Sequence, residues 1–199
     1  TKWIALGALL LAGFGSSCSS STSDSGGMSG TGVSQGSIDS FGSIFVNGVE
    51  WDVSDARIEL DGVVASESAL RVGMVVRVEG VRSDDGLSGE AQSVDFDDSI
   101  EGPIQSDPVE TVPGLVKTFS VLGTTIIMRA DQTSFDDGAS FAGLVQDDVV
   151  EVSGFLDEAG SIRATRIELK GAFPVDDEVE LRGNVANLVK TVDGSGIFD

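Results

Sequence analysis

The chain has 199 residues, of which 12 are Lys or Arg and 33 are Asp or Glu, so its formal net charge at pH 7 is −21. A polyanion of this size repels phosphate backbones, which argues against nucleic acid as a partner. The sequence contains no His, no Tyr and a single Cys. These absences exclude histidine-based general base catalysis, Ser–His and Cys–His nucleophile pairs, and the usual zinc ligand sets.

The first residues have the pattern of a secretory signal peptide. Lys2 precedes an apolar run from Trp3 to Phe14, and small residues follow at positions 15–17. A helix of about 12 residues spans roughly 18 Å, which is too short for a bilayer core of about 30 Å. A basic start, a short apolar segment and small residues before a cleavage point are typical of an exported chain. We therefore interpret residues 1–18 as a signal peptide.

The single cysteine, Cys18, directly follows these small residues. The segment resembles a bacterial lipoprotein signal: Ser16 and Ser17 fit its pattern, whereas Gly15 stands where Leu, Val or Ile is usual. The resemblance implies that Cys18 carries a lipid and becomes the first residue of the mature chain, and Ser19 resembles the signal for sorting to the outer membrane. We therefore expect an exported protein with a lipid anchor in the bacterial outer membrane, on its periplasmic face or on the cell surface. The alternative is a secreted protein whose cysteine has no such role.

Residues 19–35 are rich in Ser, Gly and Thr and contain few side chains that could be buried. Such a composition is typical of a flexible linker. We predict that this segment is a tether that holds a folded body away from the membrane.

In the rest of the chain, apolar residues alternate with polar ones. Val49 and Trp51 would point to one side of a strand and Glu50 to the other, and Ile167 alternates in the same way with Arg166. A period of two residues is typical of half-buried β-strands. We therefore place Trp51 in a hydrophobic core rather than on a surface that stacks against sugars, and Arg166 on the polar face of its strand.

Closely spaced turn signals agree with an all-β chain. Tight turns between strands favour Asn-Gly and Asp-Gly pairs. Such pairs occur at Asn47-Gly48, Asp61-Gly62, Asp85-Gly86, Asp137-Gly138 and Asp193-Gly194. We expect no helix longer than a single turn, at residues 66–70 or 140–144.

The same pattern occurs twice in the body of the chain. Residues 70–80 (LRVGMVVRVEG) match residues 144–154 (LVQDDVVEVSG) at an offset of 74 residues. Repeats of this size are too long for one turn of a solenoid and fit small barrels arranged in series. On this basis we predict a first β-barrel repeat at 36–101, a second at 102–171, and the start of a truncated third repeat at 178–199.

Three blocks of sequence occur in the order SFGSIFVNGVEWD (40–52), SALRVGMVVRVEG (68–80) and GSIRATRIELKGAF (160–173). In this order they resemble an uncharacterised bacterial family, a domain of unknown function that forms tandem small β-barrels in lipoproteins and secreted surface proteins. The pattern L-x-x-G-x-x-V-x-V-x-G is also similar to the strand that opens many OB-like and SH3-like barrels. The resemblance implies architecture and location, and the family has no established activity. Asp147 replaces the turn residue Gly73 in the second copy, a departure that concerns the local turn and not the fold.

Acidic residues are clustered in several loops that contain glycine, which makes Ca²⁺ the one candidate cofactor. This ion takes about six to eight oxygen ligands. Asp95, Asp97 and Asp98 come closest to such a set, although their spacing differs from that of known calcium loops and alternation places Asp95 and Asp97 on one strand face. The alternative is that these carboxylates are solvated side chains that keep an exported protein soluble.

Together these features favour a non-catalytic, membrane-tethered envelope protein whose β modules act as a structural or binding spacer. Its partners would be the membrane, through the lipid anchor, and an envelope protein or polysaccharide, but not nucleic acid. Two alternatives stay open: a calcium-dependent adhesion or polysaccharide-binding module, and an accessory region of an envelope enzyme. The first alternative needs the aspartates to converge, and the second needs a catalytic domain elsewhere in the protein.

Overall fold

The computed structural model describes residues 32–171 throughout, together with the backbone of residues 189–190 and 196–197. The predicted signal peptide, Cys18 and most of the predicted tether lie outside these residues, as does most of the predicted third repeat. In the described part the chain is all-β, as predicted: every element is a strand except one short 3₁₀ helix at Glu67–Ala69. No helix among the described residues is long and apolar enough to cross a membrane.

The first unit, called module 1, is a closed barrel with a hairpin attached. Its strands are β1 (Val33–Phe41), β2 (Ile44–Val46), β3 (Val49–Asp52), β4 (Arg57–Leu60), β5 (Val63–Ala65), β6 (Val75–Arg82) and β7 (Ser88–Phe96). Five of them follow the order β3-β2-β1-β6-β7, and β3 also pairs with β7 in parallel, which closes the ring. This is the connectivity of an OB-like barrel, a five-stranded Greek-key architecture. The hairpin of β4 and β5 continues the sheet from β7.

The second unit, module 2, repeats this plan. Its strands are β8 (Ile100–Pro103), β9 (Val109–Val112), β10 (Val116–Val121), β11 (Thr124–Arg129), β12 (Ser134–Asp136), β13 (Val149–Leu156) and β14 (Ile162–Lys170). The barrel strands follow the order β8-β13-β14-β11-β10, and a bridge between Ile104 and Val121 connects the two ends of this path. β11 and β14 are parallel, as β3 and β7 are in module 1. β9 extends the sheet beyond β10, and β12 pairs with β14 as β4 pairs with β7.

Each barrel encloses its own hydrophobic core, and the alternation predicted from the sequence is what builds it. Val49 and Trp51 on β3 point inward, whereas Glu50 between them is exposed. Trp51 is fully buried, which confirms its predicted place in the core. The core of module 2 includes Ile100, Ile104, Phe119, Val121, Ile126, Met128, Val150, Val152, Ile162 and Ile167.

A two-residue turn connects β2 to β3, where the sequence predicted one. Asn47 and Gly48 form it with φ angles of 53° and 73°. Positive φ at both positions is what a tight hairpin of this type requires. The corresponding turn between β10 and β11 has Leu122, with φ 47°, in place of asparagine. Leucine rarely adopts this conformation, and the side chain of Leu122 packs against the core of module 2.

The modules begin slightly earlier than the sequence repeat indicated. β1 begins at Val33, inside the predicted tether, rather than at residue 36. β8 begins at Ile100 rather than at residue 102. In the predicted third repeat, β15 (Val189–Lys190) and β16 (Gly196–Ile197) form an antiparallel pair.

Candidate functional site: the junction between the modules

The connection between the two modules is short and forms part of the sheet of module 2. Only residues 97–99 separate β7 from β8. The backbone N–H of Ser99 donates to the carbonyl oxygen of Val152 at 2.9 Å. The Ser99 hydroxyl donates to the carbonyl oxygen of Gly154 at 3.2 Å and accepts from the Gly154 N–H at 3.1 Å. The connection therefore continues β8 along β13, which restricts the freedom between the modules.

A second contact is made by the turn that precedes β6, residues 71–74, which we call the glycine turn. The hydroxyl of Thr165 on β14 donates to the carbonyl oxygen of Gly73 at 2.6 Å. The backbone N–H of Val75 donates to the hydroxyl of Ser153 on β13 at 2.8 Å. Two side chains of module 2 thus satisfy backbone groups of module 1.

The glycine turn approaches module 2 so closely that no residue larger than glycine fits at position 73 without a shift of the backbone. Gly73 has a φ of +88°, which L side chains rarely adopt. A Cβ atom on Gly73 would lie 2.5 Å from the carbonyl oxygen of Thr165 and 2.9 Å from the Cβ of Arg166. Backbone meets backbone at this point, so glycine is required for the two modules to approach this closely here.

A groove of about 510 Å³ lies beside these contacts and is shared by both modules. The lining residues are Gln35, Val75, Arg77, Asp95, Asp97, Asp98, Ser99, Gly154, Leu156 and Ile162. All three of the predicted calcium candidates therefore line one groove. Arg77 lies on the neighbouring strand directly opposite Asp95 and forms an ion pair with Glu79.

The three aspartates have different surroundings within this groove. Asp95 is partly exposed and accepts a hydrogen bond from the hydroxyl of Ser93 at 3.2 Å. Asp98 is almost completely buried, with 2 % of its surface exposed, and its backbone N–H donates to a carboxylate oxygen of Asp61 at 3.2 Å. Across residues 32–171, no group of three or more acidic side chains is arranged to hold a metal ion. Calcium binding by Asp95, Asp97 and Asp98 stays a prediction.

Immediately behind the glycine turn, module 2 contains a network of charged side chains centred on Arg166. This guanidinium has 2 % of its side chain exposed. Its Nε lies 2.8 Å from a carboxylate oxygen of Asp136, and one of its terminal nitrogens lies 3.2 Å from Glu151. The other terminal nitrogen pairs with Glu168. The Nζ of Lys170 lies 2.8 Å from Glu151 and 3.5 Å from Glu168.

The pKa shifts in this network all favour the charged forms. Burial opposes the charge of Arg166, but the hydrogen bonds that it donates to Glu168 and Asp136 outweigh burial, so the pKa of Arg166 is raised. Burial also opposes the charge of Glu168, yet its hydrogen bond and charge interaction with Arg166 lower the pKa of this carboxyl group. For Lys170, the hydrogen bond and charge of Glu151 overcome burial and raise the pKa. Arg166, Glu168 and Lys170 are therefore held in their charged forms, as members of a set of ion pairs.

Arg166 lies on the polar side of its strand, as the alternation predicts, but it is buried there. Asp136, Glu151 and Glu168 surround its guanidinium, and its Cβ lies next to the glycine turn. The cross-strand register pairs Glu151 with Glu168, and Glu168 with Asp136. Three acidic positions on adjacent strands indicate a buried cation only once this register is known.

A family model described as a domain of unknown function (DUF5666) matches residues 33–95 and 101–168. The chain belongs to this family. The two matched segments coincide with modules 1 and 2, which confirms the resemblance to an uncharacterised family of tandem domains. No curated protein matches the chain, and no solved structure matches it.

The two DUF5666 copies keep the same turn despite the replacement of Gly73 by Asp147. The N–H of Gly73 donates to the carbonyl oxygen of Ile38 at 2.8 Å, and the N–H of Asp147 donates to that of Ile104 at 2.9 Å. Asp147 has a φ of 69°, so it adopts the left-handed conformation of its counterpart. The departure in sequence therefore changes the surface of the turn and leaves its backbone path intact.

The first DUF5666 module has a second groove, of about 420 Å³, beside the first half of β7. Its lining includes Asp52, Asp55 and Glu90. Hydrogen bonds from the backbone and side chain of Ser54 lower the pKa of Asp52. A carboxyl group with a lowered pKa is poorly suited to donate a proton near neutral pH, so Asp52 is a poor candidate for a general acid.

Proposed function

We propose that the chain is a non-catalytic protein of the bacterial cell envelope, tethered to the membrane through Cys18, whose DUF5666 modules act as a structural or binding spacer. The observation that carries this proposal is the junction between modules 1 and 2. A connection at residues 97–99 built into the sheet of module 2, and two hydrogen bonds to the glycine turn, hold the barrels against each other.

Direct contact between consecutive modules suits a spacer for a physical reason. A chain of barrels joined by flexible linkers has no fixed length, because each linker samples many directions. The hydrogen bonds of Ser99 with β13, and those of Ser153 and Thr165 with the glycine turn and Val75, would remove this freedom. The pair of DUF5666 modules would then project from the tether as one body of defined length.

The charged network of module 2 supports a structural role in preference to a catalytic one. Strongly perturbed ionisable groups occur both at active sites and in structural ion-pair networks. Here Arg166, Glu168 and Lys170 have shifted pKa values because they pair with one another and with Glu151. Their shifts all stabilise the charge that each group already carries at neutral pH, so none of them is poised for proton transfer.

The membrane part of the proposal is tested by fractionating cells that produce the full chain. The unchanged protein is expected in the membrane fraction, and Cys18→Ala in the soluble fraction or the medium, because the lipid on Cys18 provides the anchor. Ser20→Ala is the control, since it changes the neighbouring tract and keeps the cysteine. An unchanged distribution of Cys18→Ala would contradict the anchor.

The spacer part is tested by measuring residual dipolar couplings of backbone amides in the full chain. Modules 1 and 2 are expected to share one alignment tensor, because the junction fixes their relative orientation. Two clearly different tensors would show that the modules reorient independently, and the spacer proposal would then fail whatever the fractionation shows.

A calcium-dependent adhesion or polysaccharide-binding module is the second candidate function. One observation favours it: Asp95, Asp97 and Asp98 all line the groove at the junction. A ligand held there would touch both modules at once.

A further inference from the structure

Module 1 has a pocket of about 450 Å³ where the end of β1 meets the 3₁₀ helix and the first residue of the glycine turn. We call it the Phe41 pocket. Its lining residues are Phe41, Glu67, Ser68, Leu70 and Arg71. Leu70 is buried, whereas Phe41 is 44 % exposed. A half-exposed aromatic ring beside a buried leucine gives the pocket an apolar wall that can hold an apolar side chain.

Arg71 adds a positive charge to this apolar wall. One of its terminal nitrogens donates to the carbonyl oxygens of Ser68 at 2.6 Å and Leu70 at 2.8 Å, which fixes the guanidinium against the chain. Within residues 32–171, the Nε and the other terminal nitrogen of Arg71 have no hydrogen-bond partner. Two donors on one edge of a guanidinium match the two oxygens of a carboxylate.

The turn that contains Arg71 has an exact counterpart in module 2, at residues 145–148. In each copy the N–H of the first turn residue donates to the side chain of the fourth, at 3.3 Å in module 1 and 2.9 Å in module 2. Val72 and Gln146 are therefore the second residues of equivalent turns.

Module 2 shows which group binds the N–H of this second residue. A carboxylate oxygen of Asp107 accepts the N–H of Gln146 at 2.8 Å. In module 1, no residue within 32–171 accepts the N–H of Val72. Module 2 also has Val145 where module 1 has Arg71, so the cation belongs to module 1 alone.

The chain that leads to each turn places this carboxylate position at the Phe41 pocket. Ile38 and Ile104 accept the N–H of the third residue of their turns, at 2.8 and 2.9 Å. Asp107 lies three positions after Ile104, and Phe41 lies three positions after Ile38. The Asp107 carboxylate of module 2 therefore marks the place that lies beside Phe41 in module 1.

We propose that the Phe41 pocket binds the C-terminal carboxylate of a partner polypeptide. Arg71 and the N–H of Val72 hold the carboxylate, and the last side chain of the partner packs against Phe41 and Leu70. The inference goes beyond the spacer function, because it requires neither the lipid anchor nor a fixed junction.

Charge favours a polypeptide terminus over an acidic polysaccharide. A polysaccharide of acidic sugars carries a negative charge at each repeat, which the net charge of −21 repels. A C-terminus carries one negative charge, and basic residues before it would be attracted to Glu67 in the pocket lining. The expected partner therefore ends in an apolar residue that is preceded by lysine or arginine.

An NMR titration of the full chain with the hexapeptide GKGKGL tests this inference. The peptide with a free carboxylate should shift the backbone amides of Arg71 and Val72 in a saturable way. The same peptide with a C-terminal amide should bind at least tenfold more weakly. The amide of Gln146 is the internal control and should not shift, because its N–H already donates to Asp107.

Replacing the cation provides the matched variants. Arg71→Met should weaken binding of the free-carboxylate peptide at least tenfold. Arg163→Met changes the net charge equally at an exposed position of module 2, and it should bind like the unchanged protein. If Arg71→Met does not fold, Phe41→Ala provides the same decision, since loss of the apolar wall should weaken binding at least threefold.

Three results would overturn the inference. The first is equal binding of the two peptide forms, which would show that the carboxylate is not recognised. The second is no saturable shift of Arg71 and Val72 up to about 5 mM peptide, beyond the millimolar range of weak binding. The third is a stronger shift of the same amides by trigalacturonic acid than by the peptide, which would assign the pocket to an acidic sugar.

Discussion

The hydroxyl group of Thr165 in module 2 donates a hydrogen bond of 2.6 Å to the carbonyl oxygen of Gly73 in module 1. The same oxygen atom of Thr165 lies 3.1 Å from the carbonyl of Ser153, whose own hydroxyl accepts the N–H of Val75. Strands β13 and β14 of module 2 are thereby both connected to the segment of module 1 where the glycine turn leads into β6. Small barrels bury only about 60 % of the surface exposed by the unfolded chain, so a contact of this kind matters for their stability.

Replacing Thr165 with valine should lower the free energy of unfolding by about 1–3 kcal/mol, because the carbonyl of Gly73 loses its donor at a partly buried site. Urea unfolding followed by circular dichroism measures this change. Thr125→Val is the control, since Thr125 lies exposed on β11 of the same module. Equal losses for the two variants would show that the hydrogen bond across the junction contributes no stability.

Replacing Trp51 with alanine should cost roughly 3–5 kcal/mol, because this side chain is fully buried in the core of module 1. Trp51→Phe should cost considerably less. Phenylalanine keeps most of the apolar contact and removes the indole N–H, for which no hydrogen-bond partner is present in the described structure. Denaturant unfolding of both variants measures the difference. A loss below about 1 kcal/mol for Trp51→Ala would contradict a core position.

The barrels could be predicted from the sequence, but the junction could not. Alternation at Val49, Glu50 and Trp51 depends on neighbours along one strand, and a strand of period two has one buried face whichever strands pair with it. The burial of Arg166 depends on the strand register that brings Asp136, Glu151 and Glu168 around it, and no local pattern carries that information. Gly73 could be identified as a turn residue from the sequence. Its close approach to Thr165, 92 residues away, requires the arrangement of the two modules.

Replacing Arg166 with methionine should destabilise the protein by about 3–5 kcal/mol at neutral pH, because it removes the buried cation that three carboxylates share. Glu151, which is 7 % exposed, would keep only its ion pair with Lys170. Arg163→Met is the control, since Arg163 lies exposed on the same strand. Thermal and urea unfolding provide the measurement. A loss no greater than that of Arg163→Met would show that the network contributes nothing to stability.

The same variant should change the dependence of stability on pH. Since Arg166 lowers the pKa of Glu168 below its ordinary value of 4.5, this carboxylate stabilises the fold above that pH. The stabilisation is lost as the pH falls through the lowered pKa of the folded state. The unchanged protein should therefore lose stability on acidification below about pH 4–5, and its advantage over Arg166→Met should shrink in that range. A constant difference between the two proteins from pH 7 to pH 3 would contradict the role of the ion pairs.

Thermal unfolding of the full chain in EDTA, and then across a calcium titration, separates the two candidate functions. For a spacer whose aspartates are solvated, we expect no shift in Tm beyond that caused by matched ionic strength, with Mg²⁺ as the control ion. A site that binds calcium only in the folded state would raise the stability by about 2.7 kcal/mol at 100 times its dissociation constant. Since Asp95, Asp97 and Asp98 line the groove between the modules, such a site would also tighten the junction. A saturable shift in Tm that Mg²⁺ does not reproduce, and that Asp95→Asn abolishes, would therefore contradict the spacer function and support the calcium-dependent binding module.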